Sequence, residues 1–325
     1  MNRKALWLLT VFVLVSVRFA GAQGTGKVHR IGYISIGPVK GSTEEAVVQA
    51  LHELGYIEGQ NFVIDWRFTG GKLDSLPGFM TELLRLKVEA IVVIGTQGAL
   101  AAKKATQTVP IIFAIAENPV DSGVVASLAR PGGNLTGVTD LAGELAAKRL
   151  ELLKQTVPKL ARLAVLVWIP DVPGNAAEKK EIESTARALG IQVQPVETRG
   201  ADDLESCFLT MTKADTNAFM GLTDARFGGN RQRVVDLGAK HHLPAIYPER
   251  LFVEAGGLMS YGTNRSELRR RVAYMLDKIL KGAKPADLPV EQPTKFELWI
   301  NLKTAKQIGL TIPPNVLARA DKVIK

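Results

Sequence analysis

The chain has 325 residues, 46% of them hydrophobic, with 41 Lys plus Arg against 32 Asp plus Glu. That length and apolar content exclude a disordered chain and a disulfide-stapled mini-protein, because about 300 mature residues bury roughly three quarters of their unfolded surface. The net charge of +9 raises nucleic-acid binding, but the basic residues lack interleaved aromatic or groove-reading partners, which argues against it.

The first 22 residues read as a secretory leader. Arg3 and Lys4 precede an apolar run over 5–17, and Ala20-Gly21-Ala22 is a small-x-small cleavage site. At about 1.5 Å per residue, the run falls short of the ~30 Å hydrocarbon core, so it predicts export and cleavage rather than an anchor. Setting aside Arg3, Lys4 and Arg18 leaves 38 basic against 32 acidic residues, or +6. No cysteine lies near the cleavage site to take a lipid, so a free periplasmic protein is expected. Cys207 is the only cysteine, which rules out an intrachain disulfide and suits a small buried apolar residue.

The mature chain then alternates. Residues 30–36 read as a strand, 44–54 as a helix, 61–68 as a strand and 74–86 as a helix. A continuous apolar strand over 90–94 leads to an Ala-rich helix over 98–106. A strand over 111–115, a short helix over 122–129 and a strand over 135–138 complete this array. After a helix over 144–155 the order repeats: strand 163–169, helix 176–189, strand 191–196, helix 202–212 and strand 218–222. Helix 231–241 and strands 244–247 and 258–261 end the second array. Helix 266–280 and a tail over 290–325 follow, with Pro285, Pro289 and Pro293 marking a connection that returns along the surface. The densest basic cluster, Arg265, Arg269, Arg270 and Arg271, reads as the solvated face of that helix.

Continuous apolar strands joined by helices predict parallel sheets covered on both faces. The expected fold is therefore α/β, with two doubly wound, Rossmann-like lobes joined by a hinge. Residues 23–139 form the first lobe, completed by part of 264–325; residues 140–263 form the second; and 264–325 supply a crossover helix and tail.

Ligands of open parallel sheets bind beyond the carboxyl ends of the strands, where loop amides and helix N-termini converge. In the first lobe that rule selects Gly37, Thr96, Gln97, Glu117 and Asn118. In the second it selects Asp171, Asn175, Thr223, Asp224, Tyr247, Glu249 and Tyr261. Thr96, Gln97 and the following helix N-terminus suit a ligand carboxylate, and Asp171, Asp224 and Glu249 suit an ammonium. Tyr247 and Tyr261 suit a ring, whereas Trp168 is expected in the core. Replacing Asp224 with Ala is expected to weaken binding and leave the fold intact, because a strand-end loop residue contributes little core. No metal, cofactor or catalytic residue is expected. His29, His52, His241 and His242 lack metal-ligand spacing, and the chain has no nucleophile elbow, P-loop or glycine fingerprint.

Several segments carry a resemblance. They are ENPVDSGVVASLARPGGNLTGVT from Glu117 to Thr139, RIGYIS, HELGYIEGQN, SYG at Ser260 to Gly262, and ELWINLKTAKQIGLTIPPNVLARAD. Together they resemble the ABC transporter substrate-binding proteins related to the tryptophan and tyrosine importers, over effectively the whole mature chain. The resemblance implies a monomeric type 1 periplasmic binding protein that closes on a small solute, such as an amino acid or an aromatic small molecule. It also implies delivery to an inner-membrane ABC permease with its ATPase. The same clamshell suits an alternative role, an extracytoplasmic sensor presenting its closed form to a membrane receptor. One departure matters: where the family has Asp-Pro-Val, this chain has Asn118-Pro119-Val120, an amide in place of a carboxylate.

Overall fold

The structure, a computed structural model, describes residues 27–36, 40–171 and 175–325. The expected leader and the candidate Gly37 lie outside the described residues. The first lobe is built from β1 (His29–Ser35), α1 (Ser42–Glu53), β2 (Phe62–Phe68), α2 (Leu76–Arg85), β3 (Ala90–Ile94), α3 (Gly95–Ala105), β4 (Ile111–Glu117) and β5 (Leu135–Asp140). Its five strands are all parallel, in the order β2-β1-β3-β4-β5. Alternate residues feed opposite cores: Tyr33, Val92 and Ile112 on one face, Ile34, Val93 and Phe113 on the other. Burial of both faces explains why these strands read as unbroken apolar runs.

The second lobe contains α4 (Ala142–Thr156), β6 (Arg162–Trp168), α5 (Asn175–Ala188), β7 (Gln192–Thr198), α6 (Leu204–Lys213), β8 (Ala218–Gly221) and α7 (Ala225–Gly229). It continues with α8 (Arg231–Lys240), β9 (Ala245–Tyr247), α9 (Arg250–Glu254) and β10 (Met259–Thr263). The order β7-β6-β8-β9-β10 repeats the topology of the first lobe. The next helix, α10 (Arg265–Leu280), returns to the first lobe, where Leu268, Val272 and Leu276 pack with Ile31 and Val47. The chain then runs beside β5, where the Thr139 N–H donates to the Glu291 carbonyl at 2.9 Å. Finally β11 (Phe296–Asn301), α11 (Leu302–Gln307), α12 (Pro314–Leu317) and β12 (Lys322–Ile324) join the second lobe. The chain therefore crosses between lobes after β5, after β10 and before β11.

Three expectations are corrected, and two short helices are added. The tail is not a surface connection: β11 pairs antiparallel with β10 and β12 extends the sheet, so the second sheet is mixed. Leu298, Ile300, Ile312 and Val316 sit in the second lobe's core, which is the burial that holds this segment down. Residues 122–129 form turns rather than a helix. Gly123 (φ 74°) breaks the run in the left-handed region, and Val124 and Val125 fill the core from turn geometry. Helices α7 and α9 lack a sequence signal, being only five residues each. Finally, Arg269 is not solvated: it is 6% exposed and paired with Glu44.

Candidate binding cleft

In both sheets strand order reverses around the lobe's first and third strands, so the rule for open parallel sheets places the site beyond β1, β3, β6 and β8. Gly95 turns β3 directly into α3 at φ 75°, a conformation that other residues adopt at a cost. Thr96 and Gln97 consequently occupy the first turn of α3. Thr96 Oγ1 donates to Glu117 Oε2 at 2.5 Å and accepts the Glu117 N–H at 3.1 Å.

Glu117 reaches this position through a bulge. Ala114 pairs with Val138 and Ala116 with Thr139, leaving Ile115 as the extra residue, at φ 62°. Positive φ is strained for a β-branched side chain, and one inserted residue reverses the alternation that follows. The bulge thus turns the Glu117 carboxyl towards Thr96.

Thr223 and Asp224 follow β8 in the second lobe. Thr223 donates its N–H to Glu178 Oε2 at 2.8 Å and its hydroxyl to Glu178 Oε1 at 3.0 Å. Arg149 Nη2 lies 2.5 Å from the same Oε1, and all three residues are 1% exposed. Burial pushes the Glu178 carboxyl up, with the Arg149 guanidinium and the Thr223 donors opposing. Asp224 caps α7, accepting the Arg226 N–H at 2.8 Å. The Arg226 side chain folds back on it, with Nε 2.9 Å from Oδ1 and Nη2 2.6 Å from Oδ2. Nη2 also donates to the Trp168 and Pro170 carbonyls, and the guanidinium lies 5.6 Å from the Trp168 ring centre. Nη1 makes none of these bonds.

Thr96, Gln97 and Glu117 of the first lobe and Thr223, Asp224 and Arg226 of the second face one cavity of about 20 Å³, walled by Ile36 and Leu73. That is room for about one water. Glu117 also lines a groove of about 450 Å³ that runs past Pro119, Val120, Leu128 and Leu141 to Asp140, Glu144 and Glu181.

The cleft therefore collects Thr96, Gln97, Glu117, Thr223 and Asp224. Asn118 lines the groove, but its amide donates to Asp121 Oδ2 at 2.8 Å and so braces the turn. Asp171 accepts from Asn175 Nδ2 at 2.8 Å and pairs with Lys179; these contacts tie down the start of α5, and neither residue lines the cavity or the groove. Tyr247 is a core residue stacked on Phe252 with centroids 4.7 Å apart, and burial pushes its hydroxyl pKa up. Tyr261 packs on the second lobe's core beside Phe296, and Glu249 is 9% exposed at the start of α9. Neither lines the cavity. Position at a strand end does not fix which helix layer a ring enters, and both tyrosines pack on the second lobe's apolar clusters. Sequence reasoning missed Arg226, because α7 is too short to announce itself and Asp224 becomes its cap only in the fold. Arg149 and Glu178 carried no signal, because they meet only when α4 packs on α5.

Among the described residues, no helix is long and apolar enough to cross a membrane, and no group of His, Cys, Asp or Glu is placed to hold a metal ion. The family model for ABC transporter substrate binding proteins matches residues 34–324. A tyrosine-binding protein of Clostridioides difficile (strain R20291) is 24% identical over 273 residues, covering 84% of this chain and 78% of that protein. The crystal structure of an ABC domain in complex with L-Trp from Streptococcus pneumonia superimposes with a TM-score of 0.84 at 27% identity, over 92% of this chain and 100% of that one. A conserved domain protein from Vibrio cholerae gives a TM-score of 0.84 at 25% identity, over 92% of this chain and 99% of that one.

Proposed function

Because the chain belongs to the ABC transporter substrate-binding proteins, the solute-binding components of importers, we propose that its two lobes close on an α-amino acid with an aromatic side chain. The observation that carries this reading is that Glu117 of the first lobe and Arg226 of the second face the same cavity. An ammonium would meet the Glu117 carboxylate, and a carboxylate would meet Arg226 and the N-terminus of α3. Asp224 neutralises part of the Arg226 charge, so a zwitterion fits better than an anion. The groove beyond Glu117, with Pro119, Val120, Leu128 and Leu141, offers an apolar seat for a ring. The tyrosine-binding relative and the L-Trp complex support the same class.

An amino acid cannot enter a cavity of about 20 Å³, so the lobes must part at the three crossings and close again around the solute. The closed form is favoured because only then does the solute touch both lobes. In this reading the protein works in the periplasm, hands its solute unchanged to a membrane permease and its ATPase, and performs no reaction. Isothermal titration with L-tryptophan, L-tyrosine and a hexose tests it. Binding of either amino acid, with the hexose silent, is expected. Hexose binding with both amino acids silent would overturn the ligand class.

A further inference from the structure

Each lobe holds a buried arginine–glutamate pair in the same topological place. Helices α4 and α10 are the first helices after the two crossings that follow β5 and β10. α4 packs on α5, the helix after its lobe's first strand, and α10 packs likewise on α1. Across the first contact, Arg149 of α4 meets Glu178 of α5; across the second, Arg269 of α10 lies 3.0 Å from Glu44 of α1. None of the four side chains is more than 7% exposed. Glu178 then reaches a cleft loop, accepting the N–H and hydroxyl of Thr223, next to Asp224. Glu44 accepts the Ser35 hydroxyl at 3.1 Å and the Gly41 N–H at 3.2 Å.

Local sequence does not account for this repetition. Arg149 and Arg269 occupy different turns of their helices, and Glu178 and Glu44 follow unrelated residues. A stability role alone would not require ionised groups, since a buried ion pair is often no better than apolar residues of similar volume. What apolar residues cannot supply is a charged acceptor for a loop N–H. We infer that Arg149 and Glu178 are paired positioning residues: they couple α4, the helix leaving the first crossing, to the Thr223 loop that faces the cleft, so that this loop moves with the hinge.

The inference rests on the cleft being the solute site, and its test separates the two. The double variant Arg149→Met/Glu178→Met removes the charges and keeps the volume, while Glu178→Gln is a milder second variant. Hydrogen exchange at the Thr223 amide, followed by mass spectrometry, needs no ligand. It is expected to quicken about tenfold or more in both variants, while protection of the β6 and β8 core is retained. Affinity of the double variant for L-tryptophan is expected to fall by about tenfold or more. Unchanged exchange at Thr223 would overturn the inference, as would faster exchange spread evenly over the whole second lobe. If wild-type protein does not bind L-tryptophan, the amino-acid reading fails, and the exchange measurement still decides the role of the pair.

Discussion

Asp224 shows how burial changes the meaning of a strand-end residue. From the sequence its replacement by Ala is expected to leave the fold intact. In the structure its carboxylate is 4% exposed and neutralises an equally buried Arg226, so Asp224→Ala leaves a guanidinium without its counter-ion. A loss of about 3–5 kcal/mol of stability is expected, measurable by urea unfolding, and unchanged stability would show that the pair is not buried in solution. Glu117→Gln is the cleaner probe of binding, because its volume is unchanged. It should weaken L-tryptophan binding by about 2–5 kcal/mol in calorimetry if the carboxylate meets the ammonium, and by far less if it only holds Thr96. Tyr33 supplies a pH test. Burial, against the opposing charge of Arg269, pushes its hydroxyl up to about 12, whereas the unfolded side chain ionises near its ordinary value of about 10. Between those values the unfolded chain has lost a proton that the folded protein retains, so stability falls as pH rises. The difference corresponds to about 3 kcal/mol, lost between about pH 10 and 12. Tyr33→Phe should flatten that part of the unfolding profile whatever it costs at neutral pH. Sheet topology alone nominates Thr96, Gln97, Glu117, Thr223 and Asp224, and these residues line one cavity between the lobes. Arg226 was not legible in the sequence, because its direction depends on a cap and on two carbonyls from β6 and the loop after it.

The elements that matter most for the site are those where regular alternation breaks. The β4 bulge at Ile115 sets the direction of Glu117, yet the run IIFAIAE reads as an ordinary apolar strand, since an inserted residue leaves composition unchanged. The second crossing has a comparable constraint that the sequence does mark with a glycine. A Cβ on Gly262 would lie 1.9 Å from the Pro248 carbonyl oxygen, so β10 passes the end of β9 without room for a side chain. Gly262→Ala should destabilise by at least about 1–3 kcal/mol and shift the crossing into α10. A urea midpoint equal to wild type would mean that the backbone relaxes freely there. Helix α10 begins with Asn264, whose side chain accepts the Glu267 N–H. Its tertiary role is to pack on the lobe other than the one its chain has just left, where Leu268, Val272 and Leu276 meet Ile31 and Val47.

At the scale of the whole molecule, a solute that binds only the native clamshell raises its stability by RT ln(1 + [L]/Kd), about 2.7 kcal/mol at a hundredfold excess over Kd. Thermal unfolding with a panel of solutes should therefore give a single chemical class of stabilisers, aromatic amino acids foremost. Equal shifts across sugars, nucleosides and amino acids would argue against one cleft. The sequence by itself determined the two α/β lobes, the family and the strand-end loops that line the cleft, because hydrophobic periodicity and short motifs are properties of neighbouring residues. Only the tertiary structure decided that the tail completes the second sheet, that Tyr247 and Tyr261 pack on the second lobe's apolar clusters, and that Arg149 and Arg269 bind glutamates on facing helices. Those outcomes depend on which surfaces meet after the chain has crossed the hinge three times. Contacts such as Arg149–Glu178, 29 positions apart, or Arg269–Glu44, on helices from opposite ends of the chain, leave no local pattern to read.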